Sequence, residues 1–303
     1  MKTSAAEFNM KDLVLYCKSY SADLLRCVNL ARSVQQFNVD RISLYISVPS
    51  ADHPLFLEHM KPYELTLICD EEITKLIPGL DAARLATLPG SVSQQIVKSS
   101  FWRLGLAMNY VCLDSDNEFI REFGIADFIC DDGVPYTVIG EGKELLTYFA
   151  SRQISKVQTF LEREAALAQA FLGRPGKAYD FGIPPLVWSR KVWESLDVFL
   201  QQKNVSYTDT LVQHPYELRL YGEAMLKFQA VPLRPADPFF RAYLHEIQYR
   251  SDRKRGITLD VIRQNYLGVV RQSNWDGTGY GEHKSALSRI NRKLKTFFRF
   301  VRG

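Results

Sequence analysis

Apolar and polar positions along the first seventy residues switch between two periods. Leu13–Cys17 is an unbroken apolar run that stops at Lys18-Ser19-Tyr20, the pattern of a strand buried on both faces. From Asp23 to Gln36 the apolar positions Leu24, Val28, Ala31 and Val34 recur at helical spacing, with one face inward. Ile42–Val48, halted by Pro49, predicts a second strand, and His53–Met60 predicts a short helix. Leu65–Cys69 predicts a third strand, ending at Asp70-Glu71-Glu72. This alternation is the order of a parallel sheet with helices on its faces, and ligands of such sheets sit beyond the carboxyl ends of the strands. That edge collects Lys18, Ser19, Tyr20, Pro49, Asp70 and Glu71.

Ile73–Val92 carries Pro78-Gly79 and Pro89-Gly90 and predicts a loop with a short helical piece. Ser93–Met108 predicts a helix that leads into an apolar strand, Tyr110–Leu113, which stops at Asp114-Ser115-Asp116. Short strands are expected at Phe128–Cys130 and Tyr136–Val138. A long amphipathic helix is expected over Gly142–Phe171, broken by Gly173-Arg174-Pro175-Gly176. Pro184–Trp188 reads as extended. Helices follow at Ser189–Gln202 with Ser189 as N-cap, Tyr216–Phe228, Pro238–Tyr249 and Ile257–Asn265. A strand at Tyr266–Val270, a flexible glycine loop at Asp276–Gly281 and a helix over Glu282–Val301 complete the expectation. The fold class is α/β: a mostly parallel sheet flanked by helices, with helical additions toward the C-terminus.

Composition narrows this picture. The chain has 303 residues, 46% hydrophobic and 24% charged, a globular balance that argues against disorder except at the ends. No apolar run reaches the length of a membrane span and the first ten residues do not read as a secretory signal, so a cytoplasmic protein is expected. Cys17, Cys27, Cys69, Cys112 and Cys130 are scattered without a CxxC pair and read as reduced core residues. The net charge of +4 does not by itself suggest nucleic-acid binding, and no nucleic-acid module is present, so no nucleic-acid partner is expected.

The sharpest chemical feature is a strand running directly into Asp114-Ser115-Asp116. Two carboxylates one residue apart at the lip of a sheet can share a hard divalent cation, Mn²⁺ or Mg²⁺, which in turn can bridge a diphosphate. Asp and Ser also close turns, so the triplet alone reads more often as a turn than as a metal site. Glu217 follows His214-Pro215 and begins a helix, where a carboxylate is favoured by the helix dipole. It is the candidate general base, with Asp209, Asp131 and Asp132 as competitors. His214 and His283 lack the spacing of metal ligands.

The stretch Gln94-Gln95-Ile96-Val97-Lys98, an apolar helix and Tyr110–Asp116 together resemble the metal-binding core of GT-A glycosyltransferases. They are closer still to a poorly characterised bacterial glycosyltransferase-like family associated with surface-polysaccharide genes. Leu15–Ser21 with Asp23, Glu217-Leu218-Arg219-Leu220-Tyr221-Gly222 and Tyr266–Val270 extend the likeness over roughly residues 12 to 275. The resemblance implies a GT-A-like, Rossmann-like fold. Residues 1–140 would form a nucleotide-sugar-binding half, 141–281 an acceptor-side half of the same domain, and 282–303 a basic amphipathic helix. It implies Asp114 and Asp116 as cation ligands, with Asp116 the more direct. Tyr16, Lys18, Asp23, Asp70, Gln95, Lys98 and Ser115 would contact the donor, a UDP-sugar.

Leu287, Ile290, Leu294, Phe297, Phe298 and Val301 share the C-terminal segment with Arg289, Arg292, Lys293, Lys295, Arg299 and Arg302. Such a segment suits an anionic membrane surface, here the inner face of the membrane, and an oligosaccharide or lipid-linked glycan acceptor. Two other readings stand beside sugar transfer: a nucleotide-sugar-binding protein without transferase activity, and a nucleotidyltransferase-like enzyme. Against the latter, Lys18-Ser19-Tyr20-Ser21 lacks the glycines of a phosphate loop.

Overall fold

A computed structural model describes residues 10–143, 155–244 and 246–272. The glycine loop, His283 and the basic C-terminal segment lie outside the described residues, as does part of the long helix expected from Gly142. The central sheet has five strands in the order β3-β2-β1-β4-β7: β1 (Lys11–Lys18), β2 (Leu44–Val48), β3 (Thr66–Cys69), β4 (Ala107–Leu113) and β7 (Leu186–Ser189). The first four are parallel, and β7 runs antiparallel to β4 with Asn109 opposite Ser189 and Cys112 opposite Leu186. β1 and β4 lie in the interior of the sheet, which is why Leu13–Cys17 and Tyr110–Leu113 read as unbroken apolar runs.

Helices cover both faces. Leu24–Phe37 (α1) and His53–Met60 (α2) bury Leu24, Cys27, Leu30, Phe56 and Met60 against Leu13, Leu15, Cys17, Val111 and Leu113. The other face packs Val14, Tyr16, Tyr110, Cys112 and Trp188 against further helices. After Asp70–Thr74 (α3) and Ala82–Thr87 (α4), these include Gly90–Ser100 (α5) and, later, Arg190–Gln202 (α7) and Glu217–Phe228 (α9). Tyr16 stacks on Phe101 with centroids 3.9 Å apart, and Trp188 meets Trp193 edge-on at 5.2 Å. Each such pair adds about 0.5–1.5 kcal/mol beyond its area burial. Gly222 lets α9 approach this face: a Cβ there would lie 2.4 Å from the Phe181 ring.

The remaining elements are β5 (Asn117–Phe119), β6 (Thr137–Val138), α6 (Ser155–Leu172), α8 (Tyr207–Gln213), β8 (Pro235–Ala236), β9 (Phe240–Tyr243), α10 (Glu246–Lys254), α11 (Leu259–Ile262) and β10 (Gly268–Arg271). A small sheet β5-β10-β9 stands beside the main one, and β6 pairs with β8.

Three expectations are corrected, and one helix was not expected. The helix expected over Ser93–Met108 ends at Ser100. A 3-10 turn follows, Gly105 reverses the chain at φ 69°, and Ala107 already belongs to β4. Phe128–Cys130 is not a strand, because Ile129 makes only an isolated bridge to Pro135. Pro238–Tyr249 is not one helix: Phe240–Tyr243 pairs in parallel with β10, and a helix begins only at Glu246. Helix α8 had no counterpart in the sequence reading; Ser206 caps it by accepting from the Asp209 N–H at 3.3 Å.

Candidate functional site

The carboxyl edge of the main sheet holds two charged assemblies. At the end of β1, the Lys18 ammonium lies 2.9 Å from Asp70 Oδ2 and donates to the Ser19 carbonyl at 2.7 Å. Asp70 opens α3 directly after β3, so two strand ends supply the pair. Both residues are buried. Burial pushes the Asp70 carboxyl above its ordinary range, and Lys18 works against that shift. Asp70 Oδ1 and the Ser19 hydroxyl are buried without a hydrogen bond among the described residues.

The second assembly runs from the surface inward. Asp114, the first residue after β4, keeps 31% of its side chain exposed and forms an ion pair with Lys98. Lys98, on the last turn of α5, is 3% exposed, and Glu217 Oε1 lies 3.8 Å behind it. Glu217 itself is 5% exposed at the first position of α9. Burial would lower the Lys98 pKa, but Asp114 and then Glu217 outweigh it and hold the ammonium above its ordinary value. Burial raises the Glu217 carboxyl, Lys98 opposes this, and Asp114 adds to it. Two carboxylates against one ammonium leave the stack with a formal net charge of −1.

Local structure fixes each member. The Tyr110 hydroxyl donates to the Lys98 carbonyl at 3.2 Å, and Tyr207 donates to the Ser99 carbonyl at 2.8 Å. These bonds tie the carbonyls at the end of α5 to β4 and α8, and they anchor Lys98. Asp114 is held by a closed turn. Its N–H donates to Asn117 Oδ1 at 2.9 Å, and the Asn117 N–H returns to the Asp114 carbonyl at 3.0 Å. Asn117 was missed in the sequence reading, although an Asn three residues after an Asp at a strand end is itself a turn signal.

The other expected site residues divide. Gln95 sits one turn before Lys98 on α5, with Oε1 buried and lacking a hydrogen bond among the described residues. Ser115 is buried. Asp116 lines a small cleft with Arg26, Asn29, Glu118 and Arg271. Asp23 pairs with Arg26 at 2.8 Å, on the border of that cleft. Tyr16 is fully buried, its hydroxyl 2.9 Å from Ser47 Oγ. It therefore has no exposed face to offer a nucleotide and is a core residue. Glu217 meets Lys98 rather than solvent, which removes the open access a general base requires. Among its competitors, Asp209 pairs with Arg84, and Asp131 and Asp132 lie at the opposite edge of the sheet. His214 packs on Phe171 at 4.8 Å, and burial lowers its pKa.

Among the described residues no group of three or more His, Cys, Asp or Glu side chains is gathered closely enough to cage a metal. The donor set still suits Mg²⁺ or Mn²⁺ used with a substrate, since such ions commonly take one or two carboxylates, substrate phosphates and water. No helix among the described residues is long and apolar enough to cross a membrane.

No protein-family model matches the sequence, and no curated protein matches it. Among solved structures, the chain is similar to mouse xyloside xylosyltransferase 1 in its apo form. The TM-score is 0.46 and the identity 9%, over 87% of this chain and 99% of that one.

Proposed function

We propose that the carboxyl edge is the donor site of a metal-dependent glycosyltransferase of GT-A type. It would move a sugar from a nucleotide sugar, a UDP-sugar in the first instance, to a glycan acceptor in bacterial surface-polysaccharide synthesis. One observation carries the reading: a partly exposed Asp114 at the end of an interior strand, held from behind by a buried lysine that a second carboxylate backs. The resemblance of Gln94–Asp116 to the GT-A metal-binding core supports it.

In this reading Asp114 and Asp116 hold the divalent ion. When bound, the ion would neutralise charge on the departing nucleotide diphosphate. The residues themselves supply placement. Lys98 fixes the Asp114 carboxylate, so no side-chain freedom is lost when a ligand arrives. Glu217 is a positioning residue that acts through Lys98. Asp70, with one buried oxygen still able to accept, and Lys18 sit where the ends of the first strands meet the nucleotide.

The test is donor hydrolysis or transfer with Mn²⁺ and UDP-sugars. Asp114→Ala and Asp116→Ala should each lower the metal-dependent rate roughly 100-fold or more while the fold persists by circular dichroism. Full activity in both variants sinks the assignment. Glu217→Gln should lower the rate only about 10-fold, as for a residue one shell removed.

The basic segment 282–303 belongs to the same proposal as an anchor on anionic membrane, where each basic residue contributes about 1 kcal/mol. Removing the residues after Arg289 should release the protein from vesicles rich in anionic lipid. Unchanged pelleting of the truncated chain would exclude the anchor.

A further inference from the structure

The two carboxylates after β4 are carried by one turn, and Asn117 closes it. Asn117 is 1% exposed, so its polar atoms must find their partners inside the protein. Oδ1 accepts from the Asp114 N–H at 2.9 Å, and the Asn117 N–H donates to the Asp114 carbonyl at 3.0 Å. Nδ2 donates to the Pro184 carbonyl at 3.5 Å, in the segment that leads into β7.

The other end of the triplet is tied to the small sheet. Asn117 lies opposite Val270 where β5 pairs with β10. The next residue of β10, Arg271, donates its N–H to the Asp116 carbonyl at 3.4 Å. Asp114 is thus bound to Asn117 and Asp116 to β10, with Ser115 buried between them.

These demands select a side-chain amide. The Asp114 N–H needs an acceptor and the Pro184 carbonyl needs a donor, and an amide supplies both. An aspartate would supply only the first. It would also turn an acceptor toward the Pro184 carbonyl and add a third carboxylate beside two. Without the amide the Asp114 N–H loses its partner, and the turn is free to change the separation of the two carboxylates.

We propose that Asn117 is a positioning residue for the divalent cation, holding Asp114 and Asp116 so that both reach one ion. The inference rests on the donor-site reading, which places the ion at those carboxylates. Asn117 is not itself a ligand, because its oxygen is engaged by the Asp114 N–H. Loss of such an outer partner commonly weakens metal binding about 10- to 100-fold.

A neighbouring bond separates positioning from plain stabilisation. The Phe119 N–H donates to Ser33 Oγ at 3.1 Å, which ties β5 to α1 without touching the triplet. Ser33→Ala therefore loosens the same short strand and leaves the turn closed.

The experiment measures Mn²⁺ binding to the full chain at a fixed UDP concentration. The readout is the loss of the free-ion paramagnetic resonance signal, against a baseline of UDP alone. Asn117→Ala and Asn117→Ser should each raise the apparent Kd about 10-fold or more, the serine being too short to span the turn. The serine variant keeps the test open if the alanine variant does not fold, which thermal melts establish. Ser33→Ala should melt earlier yet keep its Kd within about 2-fold of wild type, since it leaves the ligands' own partners in place. Wild-type affinity in a folded Asn117 variant, or an equal loss in Ser33→Ala, overturns the inference while the donor reading stands. Absence of Mn²⁺ binding to the wild type, with or without UDP, overturns the donor reading and the inference with it.

Discussion

The two edges of the central sheet treat charge in opposite ways. At the carboxyl edge, Lys18 with Asp70 and Asp114 with Lys98 and Glu217 set each charge beside an opposite one. At the amino edge, Asp12 and Asp131 line an open cleft and have no cationic partner among the described residues. Buried ion pairs do little for net stability, because desolvation offsets their attraction. Breaking one by removing a single partner is costly. A chain that keeps two such assemblies beside one another at strand ends is spending them on placement. The carboxyl edge pairs its charges within the fold, whereas the amino edge leaves the Asp12 and Asp131 carboxylates to solvent.

That contrast breaks most visibly at Lys98. Lys98→Met should lose about 3–5 kcal/mol in urea denaturation at neutral pH, because Glu217 is left buried and uncompensated. The deficit should shrink as pH falls. The folded-state pKa of Glu217 is already raised, by burial first, and loses the opposing Lys98 effect in the variant. A raised carboxyl pKa gives stability that is full below the unfolded value and lost as pH rises through the folded one. An equal deficit at acid and neutral pH would mean that Glu217 is not the group left stranded.

Asp70→Asn comes next, at about 2 kcal/mol, since Lys18 keeps a polar neighbour but loses its counter-ion. Glu217→Gln should change stability by less than about 1 kcal/mol at neutral pH, because it removes a carboxylate whose burial opposes ionisation. It should also flatten the pH dependence that the wild-type carboxyl imposes. The smallest effect belongs to the amino edge: Asp12→Asn should leave the melting temperature unchanged, as that carboxylate holds no partner among the described residues. A loss as large as that of Asp70→Asn would erase the distinction between the edges.

Much of the fold was legible because its signals are local. Unbroken apolar runs at Leu13–Cys17 and Tyr110–Leu113 can only be interior strands, and the triplet after Leu113 had to lie at their carboxyl edge. The short β9 was hidden inside a helical expectation because its pairing with β10 involves residues far along the chain. At the site, Lys98 and Asp114 were both picked out, but nothing at a separation of sixteen residues announces their contact. Glu217 was legible as important and illegible in role. Its position at a helix start suggested a carboxylate free to act as a base, while Leu220, Tyr221 and Gly222 draw the same turn into the core. Tyr16 shows the converse, since a tyrosine at a strand end resembles a base contact until Phe101 stacks on it.

The central claim is that Asp114 and Asp116 bind a nucleotide sugar through a divalent ion. A thermal-shift titration of UDP-sugars with and without Mn²⁺, on wild type and Asp116→Ala, tests it most directly. The account predicts a stabilisation of wild type that requires both ligand and metal and disappears in the variant. A shift that ignores Mn²⁺, or that survives in Asp116→Ala, contradicts it.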